Sequence, residues 1–320
     1  MKYIGIDVGG TNLKAGLVDE SGLILASQKM KIAQVDDRDS LAWTLVALTQ
    51  DLCRAAGVGL EQVASVGVGV PGTVDVRSGS ILYTCNLPLQ NVPLRKLFHR
   101  YLSIPLYIEN DANCAALAEY FAGAGQGSKR FVTITLGTGI GAGIIHNGKI
   151  YHGSNGMAGE VGHMTILYQG EPCPCGRRGC WERYASASAL KRQTARALEE
   201  NPDSILAAVV AENGGRVSGQ SAFIAMRRGD RVGEQVCRQY IDYLAAGIVN
   251  LVNIFQPDTL AIGGGVSNED DRYLLQPLRK LVEQESLPCG RDKMTKIVKA
   301  ELGARAGIIG AAFLGKNKRV

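Results

Sequence analysis

A mixed α/β architecture of two related lobes is predicted by three features of the sequence. A glycine turn between apolar runs, I-G-I-D-V-G-G-T-N-L-K-A-G-L-V-D from Ile4, has a weaker copy, I-T-L-G-T-G-I-G-A-G-I-I, beginning at Ile134. Around each copy the chain repeats the same order of strand, strand, strand, helical pattern and strand. The 320 residues, 46% of them hydrophobic, suffice for two domains with separate cores.

The elements follow in order. Segments 2–8, 13–19 and 23–31 read as strands linked by Gly-rich or Glu-Ser-Gly turns, and 40–56 has helical apolar spacing. Segment 63–70 returns to strand. Residues 71–93 read as loop-rich, after which 94–102 is predicted helical, 106–109 a strand and 112–122 a helix that starts at Asp111. From Phe131 the order recurs, with strands over 131–136, 141–146 and 149–151 and an irregular insertion to Cys180. Helices are then expected over 182–200, 204–212 and 221–228. A long amphipathic helix over 232–255 carries the stripe Tyr240, Leu244, Ile248 and Leu251, which reads as core. Strand 259–263, helix 273–285, strand 296–299 and helix 307–314 complete the chain. The expected lobes are 1–125, with 306–320 packing back on it, and 126–305, with a hinge near 123–128.

Bulk properties exclude several functions. Thirty-five Lys plus Arg against thirty Asp plus Glu give a net charge of +5, and the basic clusters at Arg177-Arg178, Arg227-Arg228 and 316–319 are short. A nucleic-acid surface is therefore not expected. No apolar run approaches ~18 residues and no leader pattern precedes Lys2, so a cytoplasmic protein without a membrane partner is expected. Eight cysteines are too sparse for a disulfide scaffold. Cys53, Cys85, Cys114, Cys237 and Cys289 are expected to be buried thiols. Two familiar patterns fail on context. Gly67-Val-Gly69-Val-Pro-Gly72 is followed by a turn where a dinucleotide site needs a helix, and the stretch from Gly143 to Lys149 lacks the Ser or Thr of a P-loop.

The chemistry is carried by four groups of residues. The two glycine turns would present backbone N–H groups to phosphate oxygens from two sides, and Asp7 is the candidate for organising a metal ion. An ATP-using enzyme follows. Glu109-Asn110-Asp111-Ala112 sets carboxylates where a strand gives way to a helix, so Asp111 is either the helix N-cap, a general base for an attacking hydroxyl, or both. His163 with Cys173, Cys175 and Cys180 matches a Cys3His structural zinc site in segment 156–182, against the alternative of free thiols beside an unrelated histidine. Glu160 and Glu182, held near that ion, form a pair of acids suited to sugar hydroxyls.

In this order, Asp7-x-Gly9-Gly10-Thr11, Glu109-Asn110-Asp111, Glu160-x-x-His163 and C-x-C-G-x-x-G-C-x-E resemble the ROK family of sugar kinases and repressors over essentially the whole chain, most closely its bacterial glucokinases. The resemblance implies an actin-like ATPase fold, a duplicated ribonuclease H-like unit with an inserted zinc-binding segment, whose lobes close over ATP, Mg²⁺ and a hexose, in a homodimer. It implies Asp7, Gly9, Gly10, Thr11, Asn12 and Lys14 as the first phosphate turn and Gly137, Thr138 and Gly139 as the second. Gly263, Gly264 and Gly265 would lie against the adenosine. Asn110 would hold sugar, with Asp111 as base. Glu160, His163 and Glu182 would hold the other hydroxyls, His163 offering its second ring nitrogen, and Gly72 and Asn86 would complete the pocket. Ala142 and the pair Leu89-Gln90 depart from the family pattern. The expected reaction is ATP-dependent phosphorylation of a hexose at its 6-hydroxyl, glucose to glucose 6-phosphate. The alternatives are N-acetylmannosamine, allose or fructose as substrate, or a sugar-responsive repressor, which in this family carries a DNA-binding module ahead of the first turn.

Overall fold

The computed structural model describes residues 1–32, 38–84, 87, 89–288, 290 and 294–317. Strands β1 (Lys2–Val8), β2 (Asn12–Asp19) and β3 (Ile24–Lys31) pair antiparallel, and α1 (Arg38–Ala55) leads to β4 (Val63–Val70). Next come β5 (Gly72–Asp75), β6 (Ser80–Thr84), β7 (Gln90–Val92), α2 (Leu94–Phe98), β8 (Leu106–Asn110) and α3 (Asp111–Ala122). They are followed by β9 (Arg130–Leu136), β10 (Ile140–His146), β11 (Lys149–Ile150), α4 (Glu182–Ala185), α5 (Ala187–Glu200), α6 (Ile205–Glu212), α7 (Ser221–Arg227) and α8 (Arg231–Phe255). The chain ends with β12 (Thr259–Gly264), α9 (Leu275–Glu285), β13 (Lys296–Lys299) and α10 (Ala306–Asn317).

Two five-stranded sheets share one topology, β3-β2-β1-β4-β8 and β11-β10-β9-β12-β13. That is the duplication expected from the sequence. The chain divides into two compact units, residues 1–133 with 143–159 and 301–320, and residues 134–142 with 160–300.

In the first unit β1 pairs parallel with β4, and β4 with β8. Side chains alternate across a strand. Ile4, Ile6 and Val8 join Leu41, Leu45 and Leu52 of α1 and Leu97 and Phe98 of α2 in one core. The intervening positions, Gly5 and Gly67, face α10, whose backbone comes so close that a Cβ would collide with the carbonyl oxygens of Ile308 and Ala311. On its other side Gly310 meets the backbone of Cys114 in α3. Helix α10 is thus held between sheet and α3 at a separation only glycine permits. Glu119 of α3 is 1% exposed, and its carboxylate accepts from the backbone N–H groups of Ala124, Glu301 and Leu302 at 2.8–3.1 Å.

In the second unit α8 begins at Asp230, whose side chain accepts from the Gly233 N–H, and ends at Gln256 with φ of 43°. Tyr240, Leu244, Ile248 and Leu251 are all buried in it. Cys53, Cys114 and Cys237 are buried too, while Cys85 and Cys289 lie outside the described residues.

The structure departs from expectation at three places, the first being that the helix expected over 94–102 covers only Leu94–Phe98. Segment 71–93 is not only loop: it holds a three-stranded sheet, β5-β6-β7. The helix expected over 182–200 breaks at Ser186, whose hydroxyl caps α5 by accepting from the Ala189 N–H at 3.0 Å. Among the described residues no helix is long and apolar enough to cross a membrane.

Gly310→Val should cost roughly 3 kcal/mol, because the helix and α3 must separate to admit the side chain. Thermal unfolding should show a midpoint lower by about 10 °C, or no soluble native protein.

Candidate active site

The first glycine turn closes the β1–β2 hairpin. Asp7 pairs in register with Lys14, whose Nζ stands 3.7 Å from Asp7 Oδ2. The Gly9 N–H donates to Asn12 O at 2.9 Å, leaving Gly10 and Thr11 exposed at the tip. Burial pushes the Asp7 carboxyl above its ordinary range, with the charge and hydrogen bond of Lys14 acting the other way. The start of α10 sits beside it: a Cβ on Gly307 would come within 2.7 Å of Asp7 Cγ.

Register carries this turn to the second group. Asp7 lies opposite Gly69 of β4, and Gly69 opposite Glu109 of β8. Asp7 and the Glu109-Asn110-Asp111 run therefore occupy the same carboxyl-terminal edge of the sheet, about 10 Å apart across two strand spacings. The cap of α3 is Asn110, not Asp111. Asn110 Oδ1 accepts from the N–H groups of Ala112 and Asn113 at 2.8 and 3.3 Å, and Nδ2 donates to Gly72 O at 3.1 Å. Asp111 is the first helical residue, with Oδ1 accepting from the Ala112 N–H at 2.9 Å. Asn86 lies outside the described residues.

The second unit assembles the other predicted residues. The turn Gly137-Thr138-Gly139 joins β9 to β10, and the Ala187 N–H at the start of α5 donates to Gly137 O at 2.9 Å. Gly264 ends β12 with φ of 91° and its backbone against that of Leu136, one residue before this turn, with Gly263 preceding it in the strand and Gly265 following. Glu160 is exposed ahead of the 3-10 turn Val161–His163, and Gly162 lies against Ile140 O. Glu182, first residue of α4, has Oε2 where a side chain on Gly139 would project.

His163, Cys173, Cys175 and Cys180 offer four ligand atoms within 4.8 Å of one another. His163 Nδ1 stands 3.8 Å from Cys173 Sγ, and Cys175 Sγ 3.7 Å from Cys180 Sγ. A tetrahedron with metal–sulfur bonds of about 2.3 Å has edges of ~3.8 Å, so the spacing and the donor set fit zinc. Burial pushes the Cys173 thiol up to about 12, and a dication would reverse this by ligating the thiolate. The knuckle between the cysteines is closed by backbone bonds, Gly176 N–H to Cys173 O at 3.0 Å and Cys173 N–H to Arg177 O at 2.8 Å. Trp181, fully buried, anchors it to α8 through Nε1 to Tyr243 O at 2.8 Å. Glu182 Oε1 accepts from Cys173 Sγ at 3.2 Å and lies 3.7 Å from His163 Nδ1, so the acid borders the cluster.

One feature lay beyond sequence reasoning: His152 Nε2 meets Glu109 Oε2 at 2.6 Å. Its only signal is a histidine after a strand.

The ROK family model matches residues 3–318. The chain belongs to the ROK family. It is 36% identical over 319 residues to a glucokinase of Halalkalibacterium halodurans, covering 99% of this chain and 95% of that one. It is 31% identical over 307 residues to a xylose repressor of Caldicellulosiruptor bescii, covering 96% of this chain and 76% of that one. A solved ROK family glucokinase from Streptomyces griseus, in complex with glucose and AMPPNP, superposes with a TM-score of 0.79 at 34% identity, covering 99% of each chain. The mixed-sheet α/β fold of this ROK protein is therefore that of the family's solved kinases.

The purified ROK protein should carry close to one equivalent of zinc by elemental analysis. Cys180→Ser should lose it, and acidification toward about pH 5 should release it from the unaltered protein as the ligands take up protons.

Proposed function

We propose that this ROK protein is an ATP-dependent sugar kinase that transfers the γ-phosphoryl group of ATP to the 6-hydroxyl of glucose. The observation that supports this best is the shared sheet edge, which brings a phosphate-type turn with Asp7 and the Asn110-capped helix start at Asp111 to strand ends two spacings apart on one edge. Full-length similarity to glucokinases supports the substrate.

In this reading Asp111 accepts the proton of the 6-hydroxyl as its oxygen attacks the γ-phosphorus. The new O–P bond forms as the bond to the bridging oxygen breaks, and ADP leaves. Asn110 holds the sugar, its amide fixed by the Gly72 carbonyl. Glu160, His163 and Glu182 hold the remaining hydroxyls in this reading. N–H groups of the turns at 9–12 and 137–139 cradle the phosphates, Lys14 adds positive charge, and residues 263–265 border the adenosine. Asp7 would organise Mg²⁺ bound with ATP, which would supply charge to offset that of the phosphates. His163, Cys173, Cys175 and Cys180 would hold zinc, which would stiffen the segment in a structural role.

Release of ADP measured across a hexose panel tests the substrate, with glucose expected to give the highest kcat/KM. Fastest turnover of N-acetylmannosamine, allose or fructose would replace glucose in this reading. Similarity to the xylose repressor favours a second reading, sugar-responsive regulation, whose signature is sugar affinity without ADP release from any member of the panel.

Asp111→Ala should lower kcat by about 10²–10⁴-fold while calorimetry still detects sugar binding. Near-normal turnover in that variant would remove Asp111 as the base.

Asp7→Asn should separate stability from activity. The folded-state pKa of Asp7 is raised, so its ionised form costs stability at neutral pH, and the cost fades as pH falls toward the ordinary carboxylate range. The neutral variant should therefore melt higher than the unaltered protein at pH 7, with the difference shrinking toward pH 4, while kcat/KM for ATP falls at least ~100-fold.

A further inference from the structure

Glu109 has no role in the reaction as assigned, yet the groups that set the candidate base all lead back to it. It is 3% exposed at the end of β8. A carboxylate this buried is tolerated only when both oxygens find donors. Oε1 accepts from the Asn110 backbone N–H and from Asn113 Nδ2, each at 3.0 Å. Among the described residues, Oε2 is served by His152 Nε2 at 2.6 Å.

His152 comes from a different part of the first unit, just after β11. Its side chain is 30% exposed, and its carbonyl accepts from the Ala158 N–H at 3.1 Å, so the loop fixes its backbone. The ring reaches inward to a buried acid whose other oxygen is bound to the first turn of α3.

The geometry points to His152 as a positioning residue for phosphoryl transfer: by holding Glu109 Oε2 it fixes Oε1 on Asn110 and Asn113, and with them the orientation of Asp111 and of the Asn110 amide. The inference rests on the reading of Asn110 as sugar-holding and Asp111 as base. Without the imidazole, Oε2 is left buried with no donor, and the carboxylate turns to find one at the expense of Oε1. Asn110 then loses the bond that sets its backbone at φ −64° and ψ 145°, the conformation from which its side chain caps α3 and reaches Gly72. The phosphate turn around Asp7 and Lys14 stands two strands away from Glu109, across Gly69 of β4. Loss should therefore appear in kcat and in sugar affinity, with little change in KM for ATP.

The test compares His152→Ala with His152→Gln, whose side-chain amide can supply an N–H donor to Glu109. Steady-state kinetics with ATP and glucose, calorimetric titration of glucose and thermal unfolding are measured on each. His152→Ala should lose at least ~10-fold in kcat and several-fold in glucose affinity, with KM for ATP within about 2-fold, and His152→Gln should recover most of both losses. The inference is overturned if His152→Ala keeps kcat and glucose affinity within about 2-fold of the unaltered protein. It is equally overturned if a folded His152→Gln is as impaired as His152→Ala, and this arm decides the matter should the alanine variant not fold. These outcomes on an active parent sink the relay alone. A parent that neither binds nor phosphorylates any hexose sinks the functional reading, and the relay falls with it.

Discussion

Glycine-lined contact between α10 and the first sheet is the constraint on which the candidate site depends. One helix near the end of the chain touches β1 and β4 on one side and α3 on the other, at backbone-to-backbone distance. The same helix starts beside Asp7. Because packed interiors have no slack, a fixed α10 fixes the separation between sheet and α3. That separation sets where Asp111 stands relative to Asp7. The glycines at 67 and 69 that imitate a dinucleotide fingerprint thus have another physical cause. Gly67 admits α10, and Gly69 lies beneath Cys114 and Asp111 of α3.

Around this frame the first unit buries acids that hold segments in place. Glu119 gathers three backbone N–H groups, one just beyond α3 and two from the distant residues 301–302, and joins α3 to the segment that leads into α10. Glu109 does the same for the first turn of α3 and the loop after β11. A buried carboxylate left unpaired is expensive, which makes each of these a strict geometric condition rather than a source of net stability. Asp7 differs: Lys14 beside it does not outweigh burial, so the fold carries its charge at a cost. Such a cost is characteristic of residues kept for chemistry.

Much of this is legible in the sequence, and the exceptions have physical reasons. Alternating apolar residues around glycine turns disclose β1, β2, β9 and β10, since period two and a tight turn are local signals. The clustered cysteines disclose the candidate metal-ligating group, because all of it but His163 falls within eight residues. The sheet β5-β6-β7 is hidden by strands of three to five residues set among turn formers. The break at Ser186 is hidden because apolar spacing continues across it from Tyr184 to Leu190. Asn110 and Asp111 are both good N-caps, and only the fold shows that asparagine takes the cap and leaves the acid as first helical residue. The Glu109–His152 contact spans 43 residues, and no local pattern encodes it.

The cysteine cluster connects to the chemistry through geometry alone. Segment 156–182 has little regular structure, so its own hydrogen bonds hold it weakly. Four ligands on one ion would fix His163, the cysteine knuckle and the residue after Cys180 at once. Trp181 then enters the core against α8, and Glu182 begins α4 with one carboxylate oxygen at the cluster and the other at Gly139 of the second turn. A side chain at position 139 would displace that acid. Glycine there leaves room for Glu182, and a bound metal would supply the rigidity that keeps the acid in place in a segment with little regular structure.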